Sequence, residues 1–273
     1  MYVTHLGPVK SGEYGLGNQL FQIAATIGIA KAHNREWKFS YWNNNKYFKN
    51  TLPSFIRDGR DNCQEVYVKE QSFDYAPIVL PDTRGVILDG YFQSPKYFEN
   101  SEQEIKKAFE IKDELVNEVK EVLYANKHYL GYTCSISVRR GDYVRLQHIH
   151  PLQPDEYWHN AQKIIEYGHA IDTYVVFSDD IEWCKQNKHL FNKTGKRVIF
   201  FSGRTQIDDF IGITLCKTNI ITNSTFSWWG AWLNKNPDKW VVMPRLWFGP
   251  VGPWSGPSDG FDIRPKSTKW YIA

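Results

Sequence analysis

Short apolar runs rich in β-branched residues alternate along the chain with longer stretches whose apolar positions recur at a helical period. Residues 1–6 read as a first strand, followed by a breaker-rich loop over 7–17 with four glycines and a proline. A helix is expected from about Asn18 to His33, because Leu20, Phe21, Ile23, Ala24, Ile27 and Ala30 follow the helical spacing. Trp37–Tyr41 reads as a second strand. An irregular polar and aromatic stretch without a repeat then extends to about residue 85, and Val86–Gln93 reads as a strand ending in a polar turn. A charged amphipathic helix is expected over Glu102–Tyr124, with Ile105, Phe109, Leu115, Val119 and Leu123 on its apolar side.

The polar segment Ala125-Asn126-Lys127-His128 marks the expected domain boundary, after which the alternation becomes regular. Strands are expected over Tyr132–Val138, Thr173–Ser178, Arg197–Phe201, Thr218–Thr222 and, last, Trp240–Met243. Helices are expected after Pro154-Asp155-Glu156, over Gln206–Cys216, and from Asn223–Ser227 to about Asn234. Repeated strand–helix units imply parallel sheets covered on both sides. The fold class is therefore α/β, with two Rossmann-like domains, 1–126 and 127–273, facing across a cleft. The tail from about residue 244 carries Trp247, Trp254 and Trp270; its pattern leaves open whether it crosses back over the first domain or lines a site.

The totals fit this reading. A chain of 273 residues with 42% hydrophobic and 23% charged residues has enough apolar material for a sizeable core. A net charge of +3 lacks the concentrated basic footprint of a nucleic-acid binder, and it suits a small anionic ligand equally well. The 11 Trp, 16 Tyr and 16 Phe fill cores by default, although their faces also stack on sugars and nucleobases. Cys63, Cys134, Cys184 and Cys216 are scattered without metal-ligand spacing, and three lie in apolar patterns, which suits a reducing compartment. The N-terminus has no charged-then-apolar signal and no apolar run reaches 18 residues, so the expected location is the cytoplasm, with at most peripheral contact at the inner face of a membrane.

Chemistry gathers where strands end. Arg139-Arg140-Gly141-Asp142 follows a strand suited to burial on both faces, and ligands of open α/β sheets collect beyond strand carboxyl ends. Two guanidiniums there suit phosphate oxygens, whereas the plainer alternative is a surface salt bridge with Asp142. Asn223-Ser224-Thr225-Phe226-Ser227 offers hydroxyls and unpaired backbone N–H groups at a helix start, a second anion cradle. Together the two clusters favour a nucleotide diphosphate. Gly15-x-Gly17 before Asn18 and Gln19 gives an incomplete dinucleotide fingerprint, again with N–H groups at a helix start. Ser178-Asp179-Asp180 invites a metal, but adjacent strand residues point to opposite faces and hard cations need more oxygens. One aspartate accepting from a base or ribose, with the other capping the next helix, is the favoured reading. His148-x-His150 has no third ligand at a zinc-like distance.

In this order, Gly15-Leu16-Gly17-Asn18-Gln19-Leu20-Phe21-Gln22, Gly90-Tyr91-Phe92-Gln93, Val138-Arg139-Arg140-Gly141-Asp142-Tyr143, Phe177-Ser178-Asp179-Asp180 and Asn223-Ser224-Thr225-Phe226-Ser227-Trp228-Trp229-Gly230 resemble the bacterial α-1,2-fucosyltransferases of glycosyltransferase family 11. The resemblance covers nearly the whole chain. It implies a GT-B fold, GDP-β-L-fucose as donor held mainly by the C-terminal half, and a galactose-terminated glycan as acceptor. It further implies inverting transfer to a 2-hydroxyl with no metal or other cofactor. Arg139 is then the expected stabiliser of the leaving diphosphate, with Arg140, Asp179, Asp180, Asn223 to Ser227, Gly17, Asn18 and Gln19 as donor contacts. Asp142 and His150 are candidates to receive the acceptor's proton. The family's arginine motif usually opens with His where this chain has Ser137. Two other functions stay open: transfer from another GDP-sugar, and non-catalytic carbohydrate binding.

Overall fold

The computed structural model describes residues 1–5, 15–54, 65–125, 132–201, 205–252, 263–266 and 269–273. The chain divides into two compact units, Met1–Lys112 with Gly260–Lys266, and Asp113–Asp259 with Ser267–Ala273. The division falls before the expected boundary at 126, for a reason given below.

In the first unit, β1 (Tyr2–His5) leads to α1 (Leu16–Ala32), then β2 (Glu36–Trp37), β3 (Glu65–Lys69) and β4 (Gly85–Asp89). The sheet order is β2-β1-β4-β3, and every pairing is parallel. Helix α1 starts two residues before Asn18, and nearly all of it is buried, so its sequence is apolar almost all round rather than on one stripe. Gly28 allows that burial, since a Cβ there would lie 2.1 Å from the Tyr97 carbonyl oxygen and 2.6 Å from Phe98 Cα. The expected second strand shrinks to β2 and a single bridge between Phe39 and Ser54. The stretch read as irregular holds a strand, β3, at the sheet edge.

The expected helix over Glu102–Tyr124 is two helices, α2 (Glu102–Ala108) and α3 (Asp113–Ala125). The break is made by tertiary contacts. Ile111 bridges Phe48, Lys49 N–H donates to Glu110 O at 2.7 Å, and Phe109 joins the Trp42–Phe48 ring cluster. Beyond the break, α3 packs on a helix of the second unit, which moves the boundary upstream.

That unit contains β5 (Thr133–Val138), α4 (Asp155–Gly168), β6 (Thr173–Ser178), α5 (Ile181–Gln186), β7 (Arg197–Phe200), α6 (Gln206–Leu215), β8 (Thr218–Ile220), α7 (Thr225–Leu233), β9 (Trp240–Met243) and β10 (Lys269–Ile272). The helix packing against α3 is α6. All strands are parallel in the order β10-β9-β8-β5-β6-β7, so Trp240–Met243 is not the last strand. In the tail, Lys266 pairs with Glu99 of the first unit before β10 joins β9. Trp270 packs on Trp228, while Trp254 lies outside the described residues, as do Cys63 and loop residues 7–14.

Strand β5 is buried at all six positions. Cys134, Ile136 and Val138 enter a core with Tyr157, Trp158, Ala161 and Ile165 of α4. On the opposite, polar face Ser135 is bonded: Asn219 Nδ2 donates to Ser135 Oγ and Ile213 O, each at 2.8 Å, and Asn234 Nδ2 donates to Asn219 Oδ1 at 2.9 Å. Buried amides so satisfied tie β5, β8 and the end of α7 together.

The sheet of the second unit has a topological switch point, where connections proceed in opposite directions and a crevice opens at the strand carboxyl ends. It lies between β5, whose chain proceeds outward through β6 and β7, and β8, which proceeds through β9.

Helix α7 ends on one buried side chain. Lys239 Nζ donates to Ala231 O, Trp232 O and Asn234 O at 2.7, 2.8 and 2.7 Å, meeting carbonyls at the negative end of the helix. Lys239→Met leaves those carbonyls without their donor and is expected to lower stability by about 2–4 kcal/mol, read as a denaturant-midpoint shift. A change under about 0.5 kcal/mol would mean that water replaces the ammonium without cost.

Candidate active site

The loop after β5 is held by the loop after β6. Asp179 Oδ1 accepts Arg140 N–H at 2.9 Å, and Oδ2 takes Arg139 Nη1 at 2.8 Å. Arg139 Nη2 also donates to Asp142 Oδ1 at 2.5 Å, so the salt bridge weighed as the plainer alternative is present, within a larger network. Arg140 is locked more deeply. Its Nε donates to Asp180 Oδ2 at 3.1 Å, and its guanidinium carbon stands 3.8 Å from the Trp183 ring centroid. Asp180 Oδ1 accepts Trp183 N–H at 3.2 Å and so caps α5, as its position predicts, while Asp179 serves the arginines.

Gly141 turns the chain against this carboxylate. A Cβ there would lie 2.5 Å from Asp179 Oδ2. These ion pairs are half-exposed, so they contribute little to stability and act by fixing direction. Arg139 retains 37% side-chain exposure against 17% for Arg140, which makes Arg139 the guanidinium better placed to meet a ligand.

The second cluster is joined to the first through Tyr143, whose hydroxyl donates to Asn223 O at 3.0 Å. Asn223 is buried and serves as a hub: its Oδ1 accepts from Gln153 and its Nδ2 donates to Trp247 O, both at 3.0 Å. Ser224 is the N-cap of α7, and its hydroxyl makes no capping bond. Ser227 is turned inward, with Oγ donating to Ser224 O at 3.0 Å, and Phe226 packs edge-on against Phe210. Of the expected cradle, Ser227 and Phe226 thus turn into the packing, while Ser224 and Thr225 stay partly exposed at the start of α7.

His150 stacks on Tyr143, with centroids 4.5 Å apart and an interplanar angle of 11°, and Phe248 closes on it at 5.7 Å. Burial holds the imidazole below its usual range, partly opposed by nearby Asp142, and its buried Nδ1 has no hydrogen-bond partner among the described residues. Ser137, where the family motif opens with His, is a buried strand residue whose hydroxyl has no hydrogen-bond partner among the described residues.

Gly17, Asn18 and Gln19 belong to the first unit, in the first turn of α1. Gln19 is committed to structure, its Oε1 accepting from Trp42 Nε1 at 2.7 Å and Asn44 Nδ2 at 2.8 Å; Asn18 Oδ1 accepts from Gln93. Among the described residues no group of three or more His, Cys, Asp or Glu is arranged to hold a metal ion. No described helix is long and apolar enough to cross a membrane.

Two residues of this site escape the sequence reading. Trp183 sits three residues after the capping Asp180, a spacing that brings it under Arg140 and could have been read from the cap. Tyr143 lies within the arginine motif, but its bond to Asn223 spans 80 positions and has no local signature.

Arginines and a helix start thus lie at one switch point. Gly141→Ala forces Asp179 away from both arginines and is expected to weaken binding of a nucleotide diphosphate by about ten-fold or more, read by calorimetry. Thermal stability should stay near wild type, and unchanged affinity would show that the Asp179 clasp does not orient the arginines.

The O-antigen biosynthesis glycosyltransferase WbnK of Escherichia coli is 36% identical over 175 residues, 60% of this chain and 56% of WbnK, so the match spans little more than half of that protein. An α-1,2-colitosyltransferase of Escherichia coli is 28% identical over 86% of this chain and 90% of its own length. The human galactoside α-(1,2)-fucosyltransferase 1 is 28% identical over 80% of this chain and 62% of its own length. Among solved structures, POFUT1 in complex with GDP superposes with a TM-score of 0.54 at 10% identity, covering 89% of this chain and 97% of that one. The α-1,6-fucosyltransferase NodZ soaked with GDP-fucose gives 0.52 at 14% identity, covering 85% and 92%. The fold is thus α/β and GT-B-like. The family model for glycosyl transferase family 11 matches residues 11–246, and the chain belongs to that family.

Proposed function

We infer that the protein transfers L-fucose from GDP-β-L-fucose to the 2-hydroxyl of a galactoside, with inversion and without a metal. The observation that carries this reading is the meeting of Arg139 and the α7 N-terminus at the β5/β8 switch point, clasped by Asp179 and joined through Tyr143 and Asn223. The names of the relatives supply the chemistry: two are α-1,2-transferases of deoxy sugars.

In the transfer, the acceptor oxygen bonds to fucose C1 while the bond from C1 to the β-phosphate oxygen breaks. GDP leaves with an added negative charge, which Arg139 and the α7 N–H groups stabilise; a donor aimed at developing charge is worth about 10²–10³ in rate. The acceptor's proton goes to a carboxylate, and Asp142 fits better than His150, whose ring is sandwiched between Tyr143 and Phe248. Asp142 is paired with Arg139, so a diphosphate oxygen competes with it for the guanidinium. Donor binding would thereby release the base.

Purified protein mixed with GDP-fucose and lactose should release GDP, with and without EDTA. Arg139→Ala should reduce kcat by about 10²-fold or more, with the fold intact by circular dichroism. Near-normal turnover in Arg139→Ala would sink the assignment, and loss with EDTA would overturn the metal-free step. The second reading, transfer of colitose, is favoured by the relative aligned over 90% of its length. Preference for a GDP-colitose donor would establish it, and no release with any donor would leave carbohydrate binding alone.

A further inference from the structure

Strand β9 runs parallel to β8, and β8 to β5, so all three end on one edge of the sheet. The chain that leaves β9 is fastened to the arginine loop and its partners at successive residues. Trp247 O accepts from Asn223 Nδ2 at 3.0 Å, the Phe248 ring lies 5.7 Å from His150, and Gly249 N–H donates to Ile149 O at 2.7 Å. All three residues are buried, although none lies in a helix or strand. Gly249 permits the approach, because a Cβ there would lie 2.4 Å from His148 O, a backbone atom that no side-chain rotation can move away. The family model ends at residue 246, so this segment begins where the shared pattern stops.

The fastened end of the loop connects back to Arg139 in two ways. Along the backbone, Val144 N–H donates to Arg140 O at 3.0 Å, Leu146 N–H to Tyr143 O at 3.1 Å and His150 N–H to Leu146 O at 2.7 Å, a continuous series of turns. Through side chains, His150 stacks on Tyr143, and the Arg139 guanidinium carbon stands 5.3 Å from the Tyr143 ring centroid. Phe248, His150, Tyr143 and Arg139 thus form one column that ends in a half-exposed guanidinium. Closely packed side chains have few voids to absorb a displacement, so such a column passes it on.

We propose that Phe248 and Gly249 are positioning residues for Arg139: they seat His150 on Tyr143 and so hold the guanidinium in one direction at the switch point. The proposal rests on the transferase reading above and adds what aims the group that meets the leaving diphosphate. Asp179 fixes the guanidinium by its nitrogens and the column fixes it through the Tyr143 ring, so the side chain is held from two sides. His150 acts as the spacer of this brace, its ring closed between Tyr143 and Phe248. The brace matters because a misplacement of about 1 Å, caused away from the reacting atoms, costs up to about 10²-fold in rate.

The test is a cycle of GDP affinities, measured by calorimetry on the whole protein. Gly249→Ala and Phe248→Ala should each weaken GDP binding by about ten-fold, whereas Phe248→Leu, which keeps apolar bulk against the imidazole, should stay within about three-fold. In an Arg139→Ala background neither alanine change should weaken GDP by more than about a further two-fold, because the group they aim is already gone. A merely structural residue would instead multiply its loss onto that of Arg139→Ala. Gly249→Ala opens no cavity, so it carries the test where Phe248→Ala does not fold. Multiplied losses in the double variants overturn the proposal, as does wild-type GDP affinity in Gly249→Ala. No GDP binding by the wild type overturns it together with the transferase reading. Non-additive losses in a protein that releases no GDP from any sugar nucleotide would sink the transferase reading and leave the brace standing.

Discussion

The site of the second unit depends on one carboxylate. Asp179 takes the backbone N–H of Arg140 with one oxygen and the guanidinium of Arg139 with the other, so a single side chain fixes both the path of the loop and the direction of the charge it carries. Its own position is set by β6, which pairs with β5 along six residues and brings Val138 opposite Ser178. The strand register therefore determines where the arginines point. A half-exposed ion pair is worth little as stability. It is worth much more as geometry, since electrostatic stabilisation of a leaving group requires donors that are already aimed.

The two units solve the same problem with different materials. In each, a carboxylate following one strand of a parallel sheet accepts backbone N–H from the segment following its neighbour: Asp179 to Arg140, and Glu70 to Tyr91 and Phe92. What is held differs. In the second unit the carboxylate also pairs with a guanidinium, whereas in the first it fixes a segment whose Tyr91 and Phe92 pack on other rings. Asp179 is partly solvated and keeps company with guanidiniums; Glu70 is buried among rings, and its proton affinity rises accordingly.

Much of this was legible in the sequence where a single element carries its own signal. Strand β5 reads as doubly buried because Cys134, Ile136 and Val138 alternate with small hydroxyl residues, and the arginines stand out at its end. The Asp180 cap is likewise local. Two edge strands, β3 and β10, were not legible, although β7, also at an edge, was. β3 and β10 pair on one side only and carry charged or half-exposed residues, which weakens the alternation that reveals a strand. The break between α2 and α3 was hidden for the opposite reason: the apolar period runs on through it, and only the demand of the Trp42–Phe48 cluster for Phe109 bends the chain. At the site, Asp142, Asp179 and the arginines come together as expected, whereas Gln19 and Ser227 prove to be tied into structure.

Each position of Val138-Arg139-Arg140-Gly141-Asp142-Tyr143 now has a physical reason. Val138 closes the core, Arg140 is immobilised between Asp180 and Trp183, and Gly141 leaves room for the Asp179 carboxylate, which a Cβ would displace. Tyr143 reaches across the switch point to the start of α7, and its ring carries His150. Most of the motif is therefore support. The side chains left half-exposed are Arg139 and Asp142, which hold each other. Ser137 belongs with the support: it is buried in β5, and among the described residues its hydroxyl has no hydrogen-bond partner. The departure from the family pattern thus falls on a buried neighbour of the loop, and the charged pair that faces outward is intact.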